Sequence, residues 1–179
     1  MDLIKRDLPH TLALLVALAG SAGSVYLSTG LGLKACPLCF YQRTAVFLVA
    51  AGLLLGLAGG ALLSRPTAAW LTVPAAFLGL GVALWHVMLE GNGTLECPTG
   101  LLGLGTAPQQ SLALFALLTP CVLWAALREG GAGLGRIGLA AGLGLLGAWL
   151  GIKSAPPLPP LPKAPYTDAL VICRPPYKP

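Results

Sequence analysis

Residues 37–63 read PLCFYQRTAVFLVAAGLLLGLAGGALL. Apart from Arg43 the run carries no charge. A helix rises about 1.5 Å per residue and needs about 20 apolar residues to cross the hydrocarbon core. In lipid no water satisfies the backbone, so such a segment must close its hydrogen bonds within itself. The reading is a transmembrane helix. It opens on Pro37, which suits a first helical turn because the N–H it lacks has no partner there anyway.

Four more windows of this kind flank it, at 10–33, 67–89, 107–127 and 134–152. The last is the shortest and richest in glycine. Glycine in membrane helices permits close backbone approach, so the many Gly-Leu and Ala-Gly pairs predict tight packing. The chain has 179 residues, 56% hydrophobic and 9% charged. Soluble domains carry roughly 25% charged residues, and disorder needs far less apolar sequence. The fold class is therefore an all-α integral membrane protein. Its formal net charge of +5 sets 11 basic against 6 acidic residues, and the basic ones are scattered singly or in pairs, so no nucleic-acid partner is expected. Lys5 and Arg6 precede the first window, and Ala19-Gly20-Ser21-Ala22 offers small residues. The apolar pattern continues past them, which favours a span over a cleaved leader.

Basic residues near span ends set direction. Lys5, Arg6, Arg65, Arg128 and Arg136 fall on one side, expected to be cytoplasmic. The other side receives Lys34 and no basic residue across 90–106. With five spans the tail also lies outside, and its Lys153, Lys163, Arg174 and Lys178 oppose the rule. The tail opens SAPPLPPLP over 154–162, a semi-rigid polyproline spacer. A short apolar stretch, 169–172, then leads to Cys173.

Four of the five cysteines fall on the outer side, where disulfides persist. Cys36 and Cys39 form a C-x-x-C at the head of the second span, Cys97 follows the third, and Cys173 lies in the tail. Cys121, inside the fourth span, reads as a small packing residue. No metal site is expected, because there is a single C-x-x-C and His10 and His86 are remote from it in sequence. A structural disulfide and a redox-active dithiol both remain open, and the surroundings favour the dithiol. They read Lys34-Ala35-Cys36-Pro37-Leu38-Cys39-Phe40-Tyr41-Gln42-Arg43. A cysteine at a helix N-terminus meets unpaired N–H groups and the positive end of the dipole, which favour thiolate. Lys34 adds charge nearby. On a helix Cys36, Cys39 or Phe40, and Arg43 share one face, with Arg43 about 10 Å further along the axis. A charged arginine at that depth either snorkels to the interface or serves a function.

This segment resembles the active-site segment of the DsbB family of disulfide-bond-formation proteins. The family pattern is C-x-x-C, an apolar residue, an aromatic, Gln or Glu, then Arg. Leu84-Trp85-His86, followed by Cys97 in the next loop, is a second point of similarity. The resemblance covers roughly 1–127. It implies a four-helix bundle of the DsbB and vitamin K epoxide reductase type in the plasma membrane. It also implies a DsbA-like thioredoxin-fold partner, and electrons passing to a membrane quinone (ubiquinone or menaquinone). Cys36 and Cys39 would be the quinone-side pair, Arg43 a quinone-binding residue, His86 a neighbour of the quinone head group, and Cys97 half of the partner-facing pair. Two features depart from the family. Residues 98–106 hold no second loop cysteine, and an additional, fifth transmembrane helix expected at 134–152 precedes an outer tail, 153–179. The expectation is that Cys173 replaces the missing loop cysteine, with Cys121, about 20 Å deep in the fourth span, the poorer candidate. One rival is a vitamin K epoxide reductase-like protein, which carries its C-x-x-C late in the bundle. Another is a non-catalytic membrane protein with structural disulfides.

Overall fold

The computed structural model describes residues 2–59, 64–130 and 133–178. Five helices follow in order: α1 (Asp2–Thr29), α2 (Pro37–Ala58), α3 (Arg65–Gly91), α4 (Ala107–Gly130) and α5 (Leu134–Ser154). All five are long and apolar enough to cross a membrane. The described residues hold no strand beyond isolated bridges. The protein is thus a multi-pass helical membrane protein, as its composition requires.

The helix boundaries follow local chemistry. Apolar sequence runs on to Leu33, yet α1 stops at Thr29. Gly30 N–H and Leu31 N–H both turn back to the Tyr26 carbonyl, and Leu33 N–H to that of Leu27. Gly32 takes a left-handed φ of 68°, open to glycine without cost. Leu31 and Leu33 therefore belong to a turn. Helix α2 ends at Ala58, and Gly59 leaves it at φ 65°. The rest of the expected second span, 60–63, lies outside the described residues. Ser64 caps α3, its hydroxyl accepting from Thr67 N–H at 3.4 Å.

Helices α1 to α4 close a ring, each packing against the next and α4 returning to α1. The core is rich in small residues: Ala13 and Ala17 on α1, Ala45 and Val49 on α2, Ala69 and Ala76 on α3, Ala125 and Ala126 on α4. Phe115 of α4 is the largest side chain fully buried there. Its ring fits where Gly79 of α3 has no side chain. Without a hydrophobic drive between helices in lipid, such close packing is what holds the bundle together. Large apolar residues instead face outward, Leu48, Leu55 and Leu71 among them.

Helix α5 packs outside the ring, on α3. Its buried face is small, with Ala140, Gly144 and Ala148 at every fourth position. A Cβ at Gly144 would meet the Pro74 carbonyl oxygen and lie 2.7 Å from Phe77 Cβ. The two backbones therefore approach as closely as glycine allows. By alternation, α5 ends where α2 begins, and the Tyr41 and Ser154 hydroxyls lie 3.5 Å apart. The chain then runs as an extended tail across that end of the bundle.

Gly144→Leu should undock α5 from α3 at a cost of about 1–3 kcal/mol, or more if the helix cannot shift. The measurement is the thermal midpoint in detergent. Gly138→Leu, at a position with open space around it, should leave the midpoint unchanged.

Candidate functional site

The site lies at the N-terminus of α2. Cys36 is the N-cap residue, with extended backbone (φ −74°, ψ 166°). Its sulfur accepts the Cys39 backbone N–H at 3.3 Å, so a thiol does the work usually done by a serine or aspartate oxygen. The Cys36 and Cys39 sulfurs lie 2.7 Å apart, in direct contact. Cys36 is buried and Cys39 half-buried. The Cys39 thiol beside it holds Cys36 below the ordinary thiol range, and His86 adds to this, while burial opposes both.

His86, on α3, has no exposed surface. Its Nε2 lies 3.9 Å from the Cys36 sulfur and 3.5 Å from the Cys97 sulfur. Its Nδ1 lies 3.3 Å from the Gln42 amide nitrogen. When that amide donates to Nδ1, the ring proton sits on Nε2 and faces the sulfurs. When the amide is turned over, its carbonyl oxygen accepts from Nδ1–H and frees the Nε2 lone pair. One buried amide thus decides what the imidazole presents.

Cys97 is joined to Cys173 in a disulfide, with Cα atoms 4.2 Å apart across 76 residues of chain. Cys97 is buried and Cys173 half-buried. The tail is also held by its own contacts. Glu96 and Arg174 exchange both backbone hydrogen bonds, at 2.8 and 3.0 Å. The Arg174 side chain donates to the Glu96 carboxylate at 2.8 Å and lies over the Tyr166 ring. Lys34 N–H donates to the Val171 carbonyl at 2.8 Å. Cys173 therefore sits between two backbone pairings, and its sulfur, those of Cys36 and Cys39, and a His86 ring nitrogen lie within 4.8 Å of one another.

Arg43 lies two turns into α2 and does not snorkel. Its Nε donates to the Ser24 hydroxyl at 2.8 Å, and its Nη2 to the Ser24 carbonyl and the Ser28 hydroxyl at 2.8 and 2.7 Å. Ser24 and Ser28 are one turn apart on α1, so that helix supplies the polar groups that make a guanidinium tolerable in lipid. Among the described residues Nη1 has no protein partner. Arg43 borders a cavity of about 170 Å³ between α1, α2 and α4. Lys34, Cys39 and Cys173 also line it, with Leu114 and Phe115 on the apolar side. His86 does not line this cavity. Its imidazole lies among the sulfurs instead. Cys121 packs against the bundle core, unbridged.

Sequence reasoning missed Gln42 as a buried partner, the Ser24/Ser28 pair, and the Glu96–Arg174 clamp. Signals for them exist. Gln42 sits inside the motif, the two serines are spaced i, i+4, and Glu96 and Arg174 each adjoin a cysteine.

A membrane bundle with two cysteine pairs meeting at the head of one helix defines a class: membrane proteins that form or exchange disulfides. The comparisons make it specific. The family model described as "Disulfide bond formation protein DsbB" matches residues 6–116, and the chain belongs to that family. It is 34% identical over 122 residues to a "Probable disulfide formation protein" of Chlamydia trachomatis, covering 63% of this chain and 87% of the relative. It is 37% identical to a "Disulfide bond formation protein B" of Actinobacillus pleuropneumoniae over 43% of this chain and 44% of the relative. It is 38% identical to one of Xanthomonas axonopodis over 38% and 41%. The chain thus spans less than half the length of these two. No solved structure matches.

Two outcomes test the geometry. Arg174→Ala should leave the bundle folded but raise the reduced fraction of the Cys97–Cys173 pair in a glutathione buffer about two- to ten-fold, because the removed contacts amount to about 0.5–1.5 kcal/mol. In the dithiol state, thiolate absorbance lost on Cys36→Ser should titrate below the ordinary cysteine range. The lowered value implies stability that is full above the unfolded thiol's pKa and lost as pH falls through the folded one. Acid should therefore destabilise the dithiol form more than Cys36→Ser.

Proposed function

We propose that this chain reoxidises a DsbA-like thioredoxin-fold protein and passes the electrons to a membrane quinone, ubiquinone or menaquinone. We place it in the plasma (inner) membrane, with its cysteine end facing the periplasm or exterior. The observation that carries the reading is the meeting of two cysteine pairs within exchange distance, both bordering a cavity that a guanidinium also lines.

The cavity suits such a head group. Quinone oxygens are acceptors only, and Arg43 and Lys34, which border the cavity, carry donors. Leu114 and Phe115 offer an apolar wall to a flat ring. When bound, the quinone supplies an acceptor for two electrons and two protons from the Cys36–Cys39 dithiol. Arg43 would hold a carbonyl oxygen and favour negative charge developing on it.

Burial orders the remaining steps. The half-buried Cys173 is the more accessible sulfur of its pair, so a partner thiolate attacks it, forming a mixed disulfide and releasing Cys97 as thiolate. His86 Nε2–H, 3.5 Å away, stabilises that leaving sulfur. The Cys97 thiolate attacks Cys36 of the oxidised inner pair, and Cys39 leaves as thiolate beside the cavity. The partner's second thiolate then attacks its own mixed disulfide and departs oxidised, releasing Cys173. Cys173 attacks Cys97, restoring the outer disulfide and leaving Cys36 and Cys39 reduced. Each turn moves two electrons from partner to inner pair.

The test is quinone reduction by purified protein given a reduced thioredoxin-fold partner. Cys36→Ser and Cys39→Ser should abolish it, and turnover surviving either substitution would overturn the reading. Arg43→Ala should raise the KM for quinone about ten-fold or more, the scale of a lost charged hydrogen bond. Stoichiometric oxidation of the partner without quinone should stay at its wild-type rate.

A further inference from the structure

The sequence argued against a metal site because it holds one C-x-x-C and no histidine near it. Folding removes that objection. His86 arrives from α3 and Cys173 from the tail, and with Cys36 and Cys39 they bring three sulfurs and one imidazole nitrogen within 4.8 Å of one another. We infer that the fully reduced protein binds one thiophilic d¹⁰ cation, with Zn²⁺ as its probe, through Cys36, Cys39, Cys173 and His86. This inference goes beyond the relay and needs only that both cysteine pairs be reduced.

The donor set is that of a closed zinc site, three thiolates and one imidazole. Tetrahedral zinc, with bonds of about 2.3 Å to sulfur and about 2.0–2.1 Å to nitrogen, sets its sulfurs about 3.8 Å apart and sulfur to nitrogen about 3.6 Å. The Cys36 sulfur already lies 3.9 Å from His86 Nε2. The Cys36–Cys39 separation of 2.7 Å must open by about 1 Å, which rotation about the Cys39 Cα–Cβ bond supplies.

Three further observations support the site. First, the partner behind the imidazole is in place. Gln42, itself buried, lies 3.3 Å from Nδ1, and with its carbonyl oxygen turned inward it accepts Nδ1–H and aims the Nε2 lone pair at the sulfurs. Second, the tail is held by more than its disulfide. The Glu96–Arg174 and Lys34–Val171 pairings flank Cys173 and keep it at the bundle when the bridge opens. Third, two of the four donors are withdrawn from solvent, Cys36 at 6% exposed and His86 at 0%, while Cys39 and Cys173 line the cavity through which a cation can enter. Binding releases whatever protons the three thiols still carry, and three thiolates on a divalent cation leave a net charge of −1 at the N-terminus of α2, where the helix dipole favours it. Cys97 remains a free thiol. The bound form can neither receive a mixed disulfide at Cys173 nor re-form the inner pair, so the cation arrests the protein in its reduced state.

The experiment uses the full chain in detergent, free of quinone and partner, reduced with a phosphine and titrated with Zn²⁺ against a chromophoric chelator. One Zn²⁺ per chain is expected after reduction and none in the oxidised protein. Co²⁺ should give tetrahedral d–d bands with three-thiolate charge transfer, and zinc-edge absorption should read three sulfurs and one nitrogen. Cys97→Ser should bind as the wild type does, and so should Cys121→Ser. Cys173→Ser and His86→Ala should each weaken binding about ten-fold or more. The inference is overturned if the reduced chain binds no stoichiometric Zn²⁺, or if both of those variants bind as tightly as the wild type. Should His86→Ala fail to fold, the sulfur-to-nitrogen count in the wild type still decides. No partner or acceptor enters the titration, so loss of this inference leaves the relay standing, and loss of the relay leaves this one.

Discussion

A sulfur caps a transmembrane helix, and the rest of the site is arranged around that contact. Cys36 must hold the first turn of α2, and in doing so its thiol is fixed against backbone N–H groups at the head of the dipole. The same placement puts Cys39 one turn inward, toward the cavity, and Arg43 one turn further, where α1 can reach it with Ser24 and Ser28. Pro37 makes the arrangement cheap, because the N–H it lacks is one the first turn leaves unpaired. A serine cap would hold the helix equally well and carry no electrons.

Arg43 and His86 show how the bundle divides its polar groups. Both are costly in lipid, and each is satisfied by a different neighbour. Arg43 is tied to α1 and faces the cavity. His86 is tied to Gln42 and faces sulfur. The imidazole among the sulfurs is thus kept apart from the guanidinium at the cavity, with Cys39 between the two.

Much of this was legible in the sequence, because lipid leaves few options. Length, apolarity and punctuation by glycine and proline placed five helices, and C-x-x-C before a buried arginine marked the site. What stayed hidden depends on three-dimensional return. Nothing in sequence brings His86, fifty residues away, to the Cys36 sulfur; the antiparallel packing of α2 on α3 does. Arg174 reads as a basic residue that opposes the charge rule for the tail. Its ion pair with Glu96 shows why it is there, since it holds the tail beside Cys97. The apolar window runs four residues past the end of α1 at Thr29 for a local reason. Leu31 and Leu33 are apolar, and hydropathy does not register that Gly30 and Gly32 have turned the chain.

Helix α5 follows from the missing loop cysteine. After four crossings a chain ends on the side opposite its second outer loop, and no tail there can reach Cys97. A cysteine supplied from the C-terminus therefore requires an odd number of crossings. The family match ends at residue 116, ahead of this whole addition. Helix α5 consequently need not join the ring. It has only to be long enough to cross and small enough on one face to lie against α3, which is the pattern of Ala140, Gly144 and Ala148. The proline-rich segment then keeps the returning chain extended, and the Glu96–Arg174 pairing fixes its register. Two departures from the family thus reduce to one geometric requirement, that both sulfurs of the outer pair lie on the same side of the bilayer.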